Sequence, residues 1–565
     1  MIFKNFIIIF LLCLNFFTAI TYSNEHSNKR LEPEGLSDLV YKDEKTFFSK
    51  DFIVVSANKY ATDAATKILK QGGNAADAGV SLQLILGLVE PQSSGIGGGS
   101  FALYYDVKKK KILNYDGREK APKSIPENIF LKSSGEKINF FDAVVGGKSV
   151  GVPGTLATLK EIHDDYGVLK WSDVIQPAID LAEKGFIPPP RLLAALNKEK
   201  YLFDQNLNNQ YFINIKNNPK QLVRNYEYLD TLKKISEDER NFYEGAIAKN
   251  ITNKISNNDN PGYMSLADLR EYEVVRGKPL CIELKHFFFC GPSLPSSGGV
   301  SIAQALILYE NFKFKKGFSE FSRILRILDF VYFLRDKHLA DPKFVNIDLN
   351  KLLSKKFLKS EFQKYLDYNK KVSSIANEEE FSSTSHFSIV DSSGNVLCMT
   401  SSIENGFGSR IYTDGFLLNN QLTDFSFLTR DNNINIPNRP EGGKKPLSSM
   451  SPIIILDKDK EFVASLGSPG GIAIISYVFK SIIDIFYSKI SPMDSLSNGN
   501  YVKKNGKIYL ENGKFADEIK TKLEVSETSQ VIRRGLVSGL GVIIKKENGL
   551  YGYADIRRDG TVKGK

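Results

Sequence analysis

No feature constrains the fold of this chain more than Phe381-Ser-Ser-Thr-Ser-His-Phe-Ser-Ile-Val-Asp391, two-thirds of the way along, where helical patterns give way to short strands. A hydroxyl-rich cluster here runs straight into a strand, behind the polar stretch Asp341 to Glu380 that ends in Glu378-Glu-Glu380 and suits exposure. If the backbone is cut before Thr384, that residue becomes an N-terminus carrying its own nucleophile and base. A threonine hydroxyl is a poor nucleophile, but a free α-amine titrates near ~7.7–8.0 and can take its proton. Taken alone, the cluster fits ordinary turn or cap chemistry better, so the rest of the chain decides.

The 565 residues, 42% hydrophobic and 25% charged, are ordinary globular material, long enough for several layers around a large core. The net charge of +10 comes from Lys mixed with Asp and Glu along the whole sequence, not from one basic arm, which argues against a nucleic-acid partner. Five histidines and no Cys/His spacing of zinc type imply neither metal nor cofactor. Cys281 and Cys290 flank Ile282 to Phe289, either a hairpin that joins them in an oxidising compartment or a segment with two free thiols.

Lys4, an apolar run from Phe6 to Phe17 and small or polar residues from Thr18 to Ser23 follow the order of a secretory signal, expected over residues 1–23. The run falls short of the ~20 residues of a spanning helix. The mature protein is therefore expected in the periplasm or secreted, with no stable membrane insertion. Ala473 to Tyr487, broken by Lys480 and Asp484, reads as an amphipathic helix.

Ile53 to Ala57 reads as a strand and Ala61 to Lys70 as a helix stopped by Gly72-Gly73; Asn74 and Asp77 form a capping-box pattern for a helix ending near Pro91. The run Ser93-Ser-Gly-Ile-Gly-Gly-Gly-Ser100 precedes a strand and lacks a following Lys-Ser/Thr, so close backbone packing is expected rather than a nucleotide loop. Leu159 to Tyr272 reads as mainly helical with a surface loop at Asn206 to Asn218, and helices resume from Ser301 to His338. Short strands follow at Phe387–Val390, Val396–Thr400, Phe416–Leu418, Ile453–Leu456 and Phe462–Leu466, a mix that predicts a layered α+β domain.

Several segments carry usable chemistry. Gly467-Ser-Pro-Gly470-Gly471 lies between a strand and a helix, where backbone N–H groups can meet developing negative charge. Arg118 has the fork for a carboxylate, and Ser448 and Ser449 offer paired hydroxyls. Gln421 and Asp424 offer an amide and a carboxylate suited to an ammonium. Turns and surface ion pairs explain each of these taken singly.

Taken together they have a precedent. Asn74-Ala-Ala-Asp-Ala78, Gly97-Gly-Gly99, Asp116-Gly-Arg-Glu119, Gly151-Val-Pro-Gly-Thr155, Pro295-Ser-Ser-Gly-Gly299, Thr384-Ser-His386, Asn419-Asn-Gln421, Pro446-Leu-Ser-Ser-Met-Ser-Pro452 and Gly467-Ser-Pro-Gly-Gly471, in this order, closely resemble the γ-glutamyltranspeptidases from about Val54 to Asp559. The resemblance implies an N-terminal nucleophile hydrolase: a four-layer αββα sandwich made as one precursor that cuts itself between Ser383 and Thr384. A helix-rich large subunit of residues 24–383 and a sheet-rich small subunit of residues 384–565 would form a heterodimer.

By the same matching, Thr384 is the nucleophile, Ser402 orients it, and Gly470 and Gly471 form the oxyanion hole. Arg118, Ser448 and Ser449 match the α-carboxylate clamp, Gln421 and Asp424 the α-amino contacts, and Glu404 stands where well-known members carry Asn. The implied reaction cleaves the γ-glutamyl amide of glutathione or related small molecules and passes the acyl group to water or an amino acid. An amide acylase of the same fold, for glutaryl or cephalosporin-type substrates, and a non-catalytic exported binder are the alternatives. The stretch from Phe425 to Lys445 is shorter than the family's lid-bearing loop and lacks its aromatic lid residue; Ile472 replaces the usual Ser, and Asp555-Ile-Arg557 the usual Asp-Pro-Arg.

Overall fold

Strands covered on both faces need no alternation of polar and apolar residues, and the central strands here follow that rule. Gly99–Asp106, Ser383–Val390 and Val396–Glu404 are buried at every position. They belong to a computed structural model that describes residues 44–205, 209–314, 317–367, 383–513, 519 and 529–565. The expected leader, residues 1–23, lies outside the described residues. Among those described, no helix is long and apolar enough to cross a membrane.

Two seven-stranded antiparallel sheets form the centre. The first runs Thr561–Gly564, Ile53–Ser56, Ser383–Val390, Val396–Glu404, Gly99–Asp106, Lys111–Gly117, Val275–Gly277. The second runs Thr46–Ser49, Gly549–Ala554, Gly541–Lys546, Phe462–Gly467, Ile453–Leu456, Phe288–Gly291, Leu280–Glu283. Their facing sides meet through Val55, Leu103, Cys398, Ile454 and Ile543. The helices Lys59–Lys70, Ala75–Val89 and Trp171–Lys184 cover the outer face of the first sheet, and Ser297–Asn311, Glu320–His338 and Ile474–Ile482 that of the second. Helix, sheet, sheet, helix is the four-layer sandwich expected from the sequence.

The strands before and after Ser383 interleave in both sheets: Ile53–Ser56 lies between Thr561–Gly564 and Ser383–Val390. The helix-rich and sheet-rich halves therefore share both sheets and the helical layer on the second, and the contrast read along the sequence is not a spatial division. Cys281 and Cys290 face each other across the edge hairpin and are joined as a disulfide. The capping box of Asn74 and Asp77 is present, and Asp77 also accepts from the Val168 N–H at 3.2 Å.

Three expectations need correction. Gln210–Asn217, read as surface loop, is a helix: Asn209 caps it through the Phe212 N–H at 3.1 Å, and buried Phe212 and Ile215 outweigh its polar composition. Residues 206–208 lie outside the described residues. Within the supposedly exposed stretch from Asp341, Lys355–Asp367 is a helix that buries Leu358 and Phe362, spaced one turn apart; residues 368–382, including Glu378 to Glu380, lie outside the described residues. Ala473 to Tyr487 is helical, with a π-helical end at Ile483–Tyr487, but it presents no charged face to solvent. Lys480 is buried, donates to the Ser495 carbonyl at 2.7 Å and pairs with Asp484 at 3.4 Å.

Candidate active site

The register between Ser383–Val390 and Val396–Glu404 breaks at one place. Ser383 lies opposite Glu404 and Ser385 opposite Ser401, so Thr384 faces a bulge formed by Ser402 and Ile403, where ladder pairing is disrupted. The Thr384 hydroxyl donates to Ser402 Oγ at 3.3 Å, and Ser402 Oγ donates in turn to the Ser383 carbonyl at 2.8 Å while accepting from the Glu404 N–H at 2.9 Å. One serine thus touches the Thr384 hydroxyl and the carbonyl of the bond preceding it.

The surroundings fix this segment. Arg558 Nη1 donates to the Thr384 carbonyl at 3.3 Å, and Ser383 Oγ to Ser93 Oγ at 2.9 Å. Ser385 Oγ donates to Glu90 Oε2 at 3.2 Å; burial raises the Glu90 carboxyl, opposed by Arg191, whose Nη1 donates to Oε1 at 3.0 Å. Burial pushes the His386 imidazole down to about 3, so it stays neutral beside Thr400 Oγ1 at 2.9 Å.

The glycine run explains how the backbones approach so closely. A Cβ on Gly97 would lie 2.1 Å from the Leu417 carbonyl oxygen, and one on Gly98 2.1 Å from that of Ser402. Asn419 Nδ2 ties the carbonyls of Gly97 and Gly151 together, each at 2.8 Å.

Thr384 and Ser402 open onto a small cleft, about 20 Å³, shared with Arg118, Gln421, Asp424, Ser448, Ser449 and Gly471. Eight sequence-selected residues thus converge there. Arg118 Nε donates to the Pro446 carbonyl at 3.0 Å and Nη2 to that of Leu447 at 2.8 Å; Nη2 also pairs with Asp424 Oδ2, which accepts from Gln421 Nε2 at 2.6 Å. Behind Arg118, burial raises the Glu119 carboxyl to about 8, against the pull of that guanidinium. The Ser448 carbonyl accepts from the Ser297 hydroxyl at 2.5 Å and from its N–H at 2.7 Å.

Three selected residues stand outside the cleft lining: Ser383, Gly470 and Glu404. Gly470 lies just before the short helical turn Gly471–Ala473, with φ of 130° and no room for a side chain beside Tyr477. Glu404, with φ of 76°, is buried and its carboxylate accepts from Asn420 Nδ2. Sequence reasoning missed Arg335, which lines the cleft from the last turn of Glu320–His338. Its signal was a charged residue four positions after Val331, on the apolar face of a helix. The segment from Phe425 to Lys445 contains a minimal hairpin, Arg430–Asp431 with Ile434–Asn435, whose Ile434 is 73% exposed.

The family model described as Gamma-glutamyltranspeptidase matches residues 61–565. The chain belongs to this family. Among γ-glutamyltranspeptidase relatives, the glutathione hydrolase proenzyme of Bacillus subtilis (strain 168) is 32% identical over 463 residues, 77% of each chain. That of Escherichia coli (strain K12) is 29% identical over 535 residues, 90% of this chain and 91% of its own. The cephalosporin acylase structure from Bacillus halodurans superimposes with a TM-score of 0.76 over 92% of this chain and 97% of its own. At 21% identity that likeness establishes the fold alone.

Proposed function

We propose that this protein is a self-processing γ-glutamyl hydrolase or transferase whose nucleophile is Thr384. The hydrogen-bond chain from the Thr384 hydroxyl through Ser402 to the Ser383 carbonyl carries the reading, because it joins attacking group and target bond in one geometry. In processing, Thr384 Oγ1 adds to the Ser383 carbonyl carbon, with Ser402 donating to the oxyanion. Collapse breaks the C–N bond as the hydroxyl proton passes to the departing Thr384 nitrogen, leaving an ester and a free amine, and water then hydrolyses the ester. Residues up to 383 and residues 384–565 remain one heterodimer because their strands interleave in both sheets.

In turnover, the new α-amine takes the proton from Thr384 Oγ1 as it attacks the γ-carbonyl. The N–H groups of Gly470 and Gly471 receive the oxyanion. Arg118, Ser448 and Ser449 hold the α-carboxylate, while Gln421 and Asp424 hold the α-ammonium. Glu404 acts behind them through Asn420. The amine departs with a proton, and water or an amino acid resolves the ester. Glutathione and related γ-glutamyl compounds are the donors, as the relatives' printed names suggest.

Intact mass with N-terminal sequencing tests the processing step: a fragment beginning at Thr384 is expected, and none from Thr384→Ala. Full cleavage of that variant overturns the assignment. Turnover of a γ-glutamyl-anilide but not of a glutaryl-anilide, which lacks the α-amine, separates this activity from an acylase; tight binding by an uncut chain without turnover marks a binding protein. The Cys281–Cys290 disulfide supports an exported protein, with residues 1–23 removed as a leader.

A further inference from the structure

We propose that Arg558 is a positioning residue that sets the catalytic base: its guanidinium, held against the Thr384 carbonyl, repels the ammonium form of the α-amine that processing creates and so keeps that amine able to take the hydroxyl proton. This rests on Thr384 being the nucleophile and deepens that reading.

An α-amine at its ordinary ~7.7–8.0 is mostly protonated at neutral pH, and in that form it cannot act as a base. A like charge nearby disfavours the protonated form. Arg558 Nη1 lies 3.3 Å from the Thr384 carbonyl oxygen. Covalent geometry keeps that oxygen and the nitrogen of the same residue within about 3.6 Å of each other, so the new amine stands no more than about 7 Å from Nη1.

The guanidinium is built into this place. Arg558 is buried, its Nη2 donates to the Val537 carbonyl at 2.8 Å, and Gly539 leaves room for its stem: a Cβ there would lie 2.6 Å from Arg558 Cδ. Lys45 Nζ donates to the carbonyl of Arg558 and, at 2.7 Å, to that of Gly560, which ties this loop to the strand Thr46–Ser49. A guanidinium is charged at every working pH, so the repulsion does not titrate away.

The other charged groups around the segment have partners of their own. Glu90, beside Ser385, bonds to Arg191; Asp559 accepts from the Arg191 N–H at 3.1 Å, and Asp555 pairs with Arg557 at 3.1 Å. On the cleft side Asp424 pairs with Arg118 and Asp336 with Arg335, while Glu404, opposite Ser383, accepts from Asn420. His386 is neutral. Lys45, lowered by burial to about 8, adds positive charge on the Arg558 side below that pH. Among the described residues, Arg558 is the one charged group bonded to Thr384 itself.

The test is the pH profile of kcat/KM for γ-glutamyl-anilide on the processed enzyme, whose acid limb reports the base of the free enzyme. Arg558→Met should move that limb up by about one unit, a loss of about tenfold on the limb against less than about threefold on the plateau. Arg558→Lys keeps the charge and should return the limb most of the way. A loss equal at every pH, or a limb that stays in place, would mean that Arg558 only supports the fold, and the proposal fails. If Arg558→Met does not mature, competitive acylation of the wild-type Thr384 amine by acetic anhydride from about pH 5 to 9 titrates it directly: a midpoint below about 7 is expected, and any higher one overturns the proposal. A wild-type chain not cut before Thr384, or silent on γ-glutamyl-anilide, would instead overturn the functional reading itself.

Discussion

Ser402 Oγ stands 2.8 Å from the carbonyl oxygen of Ser383 and donates to it, in the uncut chain, while receiving the Thr384 hydroxyl. A donor already aimed at that oxygen needs no reorganisation when the carbonyl becomes an oxyanion. Removing one such donor costs about 10²–10³ in rate. Ser402→Ala should therefore slow conversion of precursor into two subunits by that order, and Ser402→Thr should process nearly as the parent does. Following precursor mass against time after synthesis measures both.

The pairing of Arg118 with Asp424 leads to a second expectation. Arg118 is almost fully buried, so neutralising its partner strands a charge, a change that typically costs about 3–5 kcal/mol. Asp424→Asn should lower thermal stability and raise KM for γ-glutamyl-anilide. Restoring stability by also replacing Arg118 with Met, without restoring KM, would separate the structural from the binding contribution.

Much of this cleft was legible because short motifs that turns, caps or surface ion pairs would each explain singly, a hydroxyl before a strand, paired serines, glycines between strand and helix, occur together in one fixed order along the chain. The strand at Phe387–Val390, which in the structure begins four residues earlier at Ser383, and the capping box at Asn74 were readable from purely local rules. What was not legible depends on contacts between distant segments. Arg335 comes to Ser449 only because the helix Glu320–His338 packs on the second sheet. Glu404 turns to Asn420 because its backbone enters the left-handed region after the bulge, which residue type does not announce. The helix Gln210–Asn217 was hidden by polar composition, since only two of its residues are buried.

Glu119 gives a pH signature. Its carboxyl rises from the ordinary 4.5 to about 8 in the folded protein, so the folded state holds a proton that the unfolded state releases. The stability this contributes is full below about 4.5 and is lost as pH rises through about 8. Glu119→Gln keeps the neutral shape at every pH. The stability difference between Glu119→Gln and the parent should therefore shift in favour of the variant between pH 5 and 8, by on the order of a few kcal/mol. Urea unfolding of both proteins across that range measures it; parallel curves would contradict the raised carboxyl.

Gly98 separates packing beside the proposed cut from glycine content in general. A Cβ there would sit 2.1 Å from the Ser402 carbonyl oxygen and 2.8 Å from Ile403 Cγ2, so Gly98→Ala must push the strand Val396–Glu404 away at the residue that contacts both Thr384 and Ser383. Overpacking of this kind costs about 1–3 kcal/mol, and here the displacement also lengthens the hydrogen bonds proposed to align the cut. A Cβ on Gly277, at the edge of the same sheet, would meet nothing within 4 Å, so Gly277→Ala serves as the matched control. Gly98→Ala should accumulate as uncut precursor while Gly277→Ala matures like the parent; equal maturation of the two would mean that the approach of Gly98 to Ser402 has no part in processing.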